Sequence, residues 1–421
     1  MKGLLLLIPL LITMSSSAQD RLDQLYSMSI EELLQVKVTA STLTPETLKS
    51  VPSAVTVFNH RQIEQLGLDN LYELMNLVPG FQYYRSSYSP LLTNFSSRGR
   101  RIGSPSAEVL ILVNGQRLES PRSSGSSVLI PYFPLSAIDQ IEIIRGPGSS
   151  IYGSNAMLGV INITTRTNAN EVGFGYGSFD RTQGYLHTSQ EIGEASLNIF
   201  GHLTSDNGDD YKVQDTFSSG RITTDDPRTI ANLNIGLNWK NTQINLQHNE
   251  FRAENFYEFD LISNNFNERS AQLTSVSVRQ STEWQSIESH LWLSFSRTEL
   301  NVDSQFLAPG ALALVSAPAS SDALFATATF DDYEETRIQW HNDWYINQQS
   351  NAQFGIEIRH IDAPKTIAKN NFDLGDVTQG NSPIRYYGSL LATTPVQDAS
   401  RRDIVGLYGQ YQHYLFDSTH I

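Results

Sequence analysis

Cysteine is absent from the 421 residues, which excludes a disulfide framework, a thiolate metal site and a cysteine nucleophile. Charge is scarce too, with Asp, Glu, Lys and Arg together at 17%. Set beside 18 Tyr and 19 Phe, so little charge excludes a highly charged disordered chain. There is no basic excess: the net charge of −15 argues against nucleic acid as the main partner, because phosphate binding needs basic surface. No apolar run reaches roughly 18 residues, which excludes a bundle of membrane-spanning helices. The remainder is polar, aromatic-rich and strand-prone, a composition shared by soluble all-β proteins and outer-membrane barrels.

Catalytic signatures are missing as well. The run Gly148 to Ser154 has the glycines of a phosphate-binding loop without its lysine. There is no HExxH or G-x-S-x-G, and none of the nine His pairs at i, i+4. Neither an enzyme nor a cofactor is expected. Asp206, Asp209 and Asp210 around Asn207-Gly208 could hold a divalent cation, but a solvated hairpin tip explains the same residues.

The N-terminus points to export. Lys2 is followed by an apolar segment from Gly3 to Met14, and Ser16 and Ala18 stand at −3 and −1 of a signal-peptidase cut before Gln19.

Charge then divides the chain. Residues 19–167 carry 12 basic and 12 acidic residues, whereas 168–421 carry 16 and 32. Texture changes at the same place. In the first part, Arg61 to Gly80 has helical spacing through Ile63, Leu66, Leu71, Leu74, Met75 and Val78, with Asp69 placed to cap a second helix. Val109 to Leu118 reads as a buried strand, an Asn-Gly turn and a returning strand. In the second part nearly every segment alternates. Leu233, Ile235, Leu237 and Trp239 share one face and Asn232, Asn234 and Asn238 the other; Ile338, Trp340, Trp344 and Ile346 oppose Gln339, His341, Asp343 and Tyr345. Strands of about ten residues, apolar on one face and amide-rich on the other, suit a wall with lipid outside and water inside.

These motifs resemble the TonB-dependent outer-membrane receptors. The most specific run is IEIIRGPGSSIYGSNAMLGVINITTR, Ile141 to Arg166, with Arg145, Gly146, Pro147, Tyr152, Gly153, Asn155, Ala156 and Gly159 at the family's plug-motif positions. Arg98-Gly99 and the turn at Asn114-Gly115 match further plug elements, Asn114 standing where Asp is common. Val36, Lys37, Val38, Thr39 and Ala40 resemble the TonB box, the short segment gripped by the energy-coupling protein TonB. The resemblance implies a signal peptide (1–18), a periplasmic segment with the box (19–45), an α+β plug domain (46–167) and an antiparallel transmembrane β-barrel (168–421) in the outer membrane of a Gram-negative cell. The partners it implies are TonB, outer-membrane lipid and a small-molecule ligand. The activity it implies is energy-coupled uptake of a scarce nutrient, a ferric siderophore first, with cobalamin, haem or an oligosaccharide as alternatives. A non-transporting adhesin or a phage or colicin docking surface is a further one.

The plug glycines read as structural. Arg145 needs a fixed partner, either a carboxylate of the barrel wall or a group within the plug. Ligand charge is suggested by residues 81–130, which hold six Arg against Glu108 and Glu119. Tyr83, Tyr84, Arg85, Tyr88, Arg100, Arg101 and Arg122 mix aromatic rings with guanidinium groups, which suits a planar anionic chelate. The same arginines could instead seat the plug on wall carboxylates.

A plugged lumen takes about 22 strands, and only about ten convincing ones follow residue 168. The barrel is expected to be truncated, the chain a fragment. For the box, Val38→Pro in an intact receptor should abolish uptake and spare ligand binding, since proline removes an N–H from the strand that TonB would extend. Unchanged transport by that variant would remove the assignment.

Overall fold

The computed structural model describes residues 37–38, 46–47, 54–68, 70–85, 93–99, 108–118, 133–148, 152–153, 155–208, 212–214, 220–223, 226–258, 261–262 and 266–413. The signal segment, Val36, Thr39 and Ala40 lie outside them. Lys37–Val38 (β1) pairs antiparallel with Glu46–Thr47 (β2), Lys37 opposite Thr47.

The plug begins with Val55–Asn59 (β3). The Asn59 side chain accepts from the Gln62 backbone and Gln62 reciprocates on the Asn59 N–H, so His60–Leu66 starts as a helix (α1) with both donors satisfied. Gly67, left-handed at φ 59, ends it. Asn70 caps Leu71–Met75 (α2), one residue beyond the Asp69 expected from sequence. Phe81–Arg85 (β4) and Thr93–Ser97 (β5) form a hairpin. Val109–Val113 (β6), Gln116–Arg117 (β7), Ile138–Ile144 (β8) and Gly159–Thr165 (β9) join β3 in a sheet of order β3-β8-β9-β6-β7, in which only β6 and β9 run parallel. Leu71, Leu74, Met75, Ile111, Ile138, Ile141, Ile161 and Ile163 are buried between helices and sheet. At roughly 1.5–3 kcal/mol for each fully buried aliphatic side chain, this core is what holds the plug together.

The wall opens with Glu171–Tyr176 (β10), Thr182–Ile192 (β11) and Ala195–Asp206 (β12). Lys212–Gln214 (β13) and Arg221–Thr223 (β14) make a small hairpin in the next loop. Arg228–Trp239 (β15) and Thr242–Glu254 (β16) follow, then the short pair Tyr257–Glu258 (β17) and Leu261–Ile262 (β18). Glu268–Trp284 (β19), Ile287–Leu307 (β20), Ser316–Ala317 (β21), Leu324–Asn347 (β22) and Ser350–Ala363 (β23) come next. Thr366–Phe372 (β24), a helix at Leu374–Gln379 (α3), Ile384–Gln397 (β25) and Ser400–His413 (β26) complete the described wall. Ten of these strands form one antiparallel ladder, β10-β11-β12-β15-β16-β19-β20-β22-β23-β26, which is not closed.

Turns at one end of the ladder have two residues, with the first left-handed at Gly193, Lys240 and Gln285. The other end carries the long connections. In such barrels short turns face the periplasm and long loops the exterior. The alternation expected from sequence is present: Leu233, Trp239, Ile338, Trp340 and Trp344 face outward and exposed, and Asn232, Asn234, Gln339, His341 and Asp343 are buried inside.

Strands β20 and β22 have 21 and 24 residues, about twice what a bilayer crossing needs, so their outer halves stand above the lipid. There β24, α3 and β25 build a cap over Leu312, Leu324, Phe372 and Ile384. Hydrogen bonds from Arg385 and Asn381 hold the Asp376 carboxyl well below its usual range. None of this cap was foreseen from sequence.

Among the described residues, each end of the ladder leaves a strand, β10 or β26, with one side unpaired. Backbone groups in hydrocarbon need partners, so residues 1–421 expressed alone should be exported yet give no heat-modifiable, protease-resistant barrel. Recovery of a folded, membrane-inserted monomer would overturn that expectation.

Candidate site at the seam between plug and wall

The turn between β6 and β7 is a plug element that the wall holds by a hydrogen bond from a charged side chain and by a covering ring. Asn114 and Gly115 are both left-handed, at φ 48 and 79, the conformation that makes Asn-Gly a favoured two-residue hairpin turn. The Asn114 side chain clamps the end of β9: its Nδ2 donates to Thr165 Oγ1 at 2.8 Å and its Oδ1 accepts from Thr165 N at 3.0 Å.

Arg337 of β22 reaches the turn from the wall. Its Nη1 donates to the Gly115 carbonyl at 3.0 Å, its Nε to Glu357 at 2.7 Å and its Nη2 to Gln339 at 2.7 Å. Buried to 5%, the guanidinium is acceptable only because Glu357 balances it. Its Cζ also lies 5.6 Å from the Trp292 ring centroid. That ring covers Gly115 so closely that a Cβ added there would fall 2.0 Å from it. Elsewhere the wall packs on the plug through Phe200 and Leu273, which join the plug's own core, and Asn198 donates to the Thr167 carbonyl at 2.9 Å.

Beside the turn lies a half-open cavity of about 440 Å³, bounded by β6, β9 and the inner faces of β12 to β22. Amides dominate its wall side through Asn198, Asn234, Asn238, Gln243, Asn245 and Gln339. Thr164, Thr165, Thr167 and Ser277 add hydroxyls, Arg279 and Arg337 are its cations, and among the described residues no carboxylate lines it.

The plug-motif residues sit around this turn and behind it. Arg117 donates to the Tyr152 carbonyl at 2.7 Å, and burial pushes the Tyr152 hydroxyl far above its usual range, keeping it neutral. Tyr152 and Ala156 share a small core with Leu110, Leu112, Ile144 and Val160. Gly153 and Asn155 are left-handed, and Gly146-Pro147 leads away from β8. Gly159 lies where a Cβ would come 2.7 Å from the Ile144 carbonyl, so this contact alone requires glycine. Arg98, left-handed and followed by left-handed Gly99, donates to the Arg145 carbonyl at 3.1 Å, a bond within the plug. Arg145 itself has a buried Nε without a hydrogen-bond partner among the described residues.

Of the residues expected to meet ligand, Tyr83 stacks on buried Tyr72 at 5.2 Å between centroids, and its backbone N–H bonds Asn76. The strand β4 carries Tyr84 and Arg85, opposite Asn94 and Thr93. Tyr88, Arg100, Arg101 and Arg122 lie outside the described residues, as do Asp209 and Asp210. Asp206 accepts from the Gly208 N–H, closing its own turn. Sequence reasoning missed Arg337, Trp292 and Glu357. The alternating segment it recognised on β22 starts at Ile338, one residue after the arginine that continues the inward face.

Residues 47–160 match the family model of the TonB-dependent receptor plug domain. Over those residues the chain is a TonB-dependent receptor plug domain. The vitamin B12 transporter BtuB of Vibrio vulnificus (strain YJ016) is 30% identical over 176 residues, 41% of this chain and 27% of the relative. BtuB of Vibrio cholerae serotype O1 (strain ATCC 39541) is 26% identical over 327 residues, 76% and 49% respectively. The receptor chain thus spans about half or less of the length of these relatives. Among solved structures, the pyoverdine outer membrane receptor FpvA of Pseudomonas aeruginosa superposes with a TM-score of 0.66 at 14% identity, covering 90% of this chain and 57% of that one. The ferric enterobactin receptor PfeA of Pseudomonas aeruginosa gives 0.60 at 20%, covering 91% and 57%. At such identities the likeness shows the fold, a plug beside a partial barrel.

Gly115→Ala tests the seam. The methyl group meets Trp292, and φ 79 adds about 1–2 kcal/mol of strain, so in an intact receptor carrying this plug and wall the turn should leave the wall and plug proteolysis in outer-membrane preparations should accelerate several-fold. Trp292→Ala in the same chain should recover part of the protection. Wild-type proteolysis of the single variant would show that the turn does not seat the plug.

Proposed function

We propose that this receptor sits in the Gram-negative outer membrane and takes up a scarce nutrient, driven by TonB through the segment Val36 to Ala40. The observation that carries this reading is the seated plug. A folded domain lies against a polar wall and is held by a few hydrogen bonds, from Arg337 at its leading turn and from Asn198 at Thr167. At about 0.5–1.5 kcal/mol net for an ordinary hydrogen bond, and somewhat more where a charge takes part, such contacts hold a domain at rest and yield to mechanical work. TonB would add a strand along the box, a mode resting on backbone more than on side chains.

For the ligand, similarity to vitamin B12 transporters over 327 residues favours a corrinoid. A second reading, an anionic ferric siderophore, keeps the support of the arginine-rich stretch 81–130. The deciding measurement is binding and energised uptake of cyanocobalamin and ferric enterobactin, each by the wild-type receptor and by the triple variant Arg85→Gln, Arg100→Gln, Arg101→Gln. A corrinoid receptor should bind cyanocobalamin with affinity changed less than about threefold by the variant. Binding of the ferric chelate instead, lost in the variant, would transfer the assignment to the siderophore. Uptake of either that persists without TonB would sink the energy-coupling reading.

A further inference from the structure

Two inward positions beyond Arg337 on β22, toward the short-turn end, His341 stands in a row with His290 on β20, Gly355 on β23 and Tyr408 on β26. The rings of this row stack: His290 lies 6.1 Å from His341 between centroids, and Tyr408 lies 5.8 Å from it. Tyr408 is two strands away from His341. It reaches across only because Gly355 stands between them, where a Cβ would collide with the tyrosine hydroxyl. His341 Nδ1 is thereby 2.6 Å from that hydroxyl. On the other side of the ring Nε2 faces Asp343 Oδ2 at 2.9 Å, and neither of these buried atoms has an aligned hydrogen bond among the described residues.

These side chains end a run of hydrogen bonds that begins at the plug. Arg337 donates to the Gly115 carbonyl and, at 2.7 Å, to Gln339 Oε1. The Gln339 amide nitrogen donates in turn to the Tyr408 oxygen. Tyr408 meets His341, and His341 faces Asp343, whose other oxygen accepts from Gln353 at 2.9 Å. The two ends set the direction of the run, because a guanidinium can only donate and a carboxylate only accept. Tyr408 therefore gives its proton to Nδ1 of a neutral His341, whose Nε2–H faces Asp343. A proton added to His341 lands on Nδ1 and sets a second donor against the Tyr408 hydroxyl. The hydroxyl must then turn to Gln339, which presents its NH2 to the tyrosine and its oxygen to Arg337. Rotating that amide satisfies Tyr408 and puts NH2 against the guanidinium, so the conflict surfaces at the grip on Gly115. The surroundings direct the proton to His341. Asp343 adjoins it, and Glu288 on β20 lies 3.5 Å from His290. Arg279 on β19 stands near His290 and opposes charge there, and Ser281 bonds that ring at 2.8 Å. Two stacked rings do not both charge readily. Glu357 on β23 and Arg337 flank Tyr408, and the plug's Tyr152 lies near it, the last with a neutral hydroxyl.

We propose that His341 is a proton-operated release for the plug: one proton taken up there is relayed through Tyr408 and Gln339 to Arg337 and loosens the Asn114-Gly115 turn. His341 and Tyr408 are positioning residues, acting on the turn only through Arg337. Histidine changes charge between about pH 5 and 8, so the turn is seated at the upper end of that range and loosened at the lower. The released state binds the extra proton, so the seat strengthens as pH rises.

The test follows amide hydrogen exchange over residues 109–118 in an intact receptor carrying this plug and wall, held in outer-membrane vesicles. Rates are compared at pH 7.5 and 5.5 after correction for the intrinsic pH dependence of exchange. Protection of the wild-type turn should fall at least fivefold at pH 5.5, and a smaller change overturns the proposal. Tyr408→Phe keeps the ring stack and every charge and removes only the hydroxyl in the middle of the relay. Its turn should stay protected at both pH values, with a ratio below twofold, and a ratio of twofold or more overturns the relay. His341→Gln should lose the response in the same way, whereas His290→Gln, one ring off the relay, should keep it. Loss of the response in His290→Gln together with its survival in His341→Gln would place the proton elsewhere and sink the assignment. Neither ligand nor TonB enters the measurement, so its outcome is independent of the uptake reading.

Discussion

Every peptide group that crosses hydrocarbon must find its hydrogen bond inside the protein. In this receptor one antiparallel ladder meets that demand for the strands within it, and the rest of the architecture follows from it. A ladder fixes a period of two, so each wall strand has to be read as two sequences at once, one for lipid and one for the lumen. On β15 the lipid sequence is Leu233, Ile235, Leu237, Trp239 and the lumen sequence is Asn232, Asn234, Asn238. The amides of the inner face are therefore available for a function that the outer face cannot share. The same ladder places Arg337 opposite Arg359, with Glu335 and Glu357 beside them, and the charges resolve into the pairs Arg337–Glu357 and Arg359–Glu335, each at 2.7 Å.

Against that wall the plug is joined by two kinds of contact with different consequences. Phe200 and Leu273 extend the plug's apolar core into the wall, which costs free energy to separate in proportion to the area exposed. Arg337 and Asn198 instead hold backbone carbonyls of Gly115 and Thr167, and water can replace both bonds when the surfaces part. A plug joined only by apolar packing would be hard to move, and one joined only by polar contacts would be poorly located. The mixture locates it and leaves the leading turn as the weaker part of the joint.

Much of this was legible in the sequence. The helix break at Gly67, the buried strand at Val109–Val113, the Asn-Gly turn and the facing of β15 and β22 all follow from local pattern, whereas the second helix ends at Met75, five residues before the Gly80 to which the helical pattern ran. What escaped did so for physical reasons. Strands β20 and β22 continue past the bilayer, where outward positions no longer need to be apolar and the alternation fades. The cap of β24, α3 and β25 is assembled from residues that meet only in three dimensions, such as Leu312 with Phe372 and Ile384. The seam could not be read at all from either partner alone, because Gly115 and Arg337 are 222 residues apart and nothing near either one announces the other. For Arg145 the two partners weighed from sequence were a wall carboxylate and the plug itself. Its backbone carbonyl serves Arg98 within the plug, and its buried Nε has no partner among the described residues.

The outer cap shows why order above the membrane matters to what happens below it. An irregular connection between β23 and β26 would leave the long-loop end to fluctuate. Here β24 pairs with the outer end of β22, Ala326 opposite Asn370, and so braces the tallest strand of the wall. The α3 cap is closed by Asp373 accepting from the Asp376 N–H at 2.9 Å, while Arg385 spans both carboxylates. Charge pairing at such an exposed place contributes little stability, and its effect is geometric. By keeping β20, β22 and β24 in register above the lipid, the cap fixes the upper ends of the same strands whose lower parts carry Trp292, Arg337 and Gln339. The position of the seam is thus set by pairing that extends well beyond it.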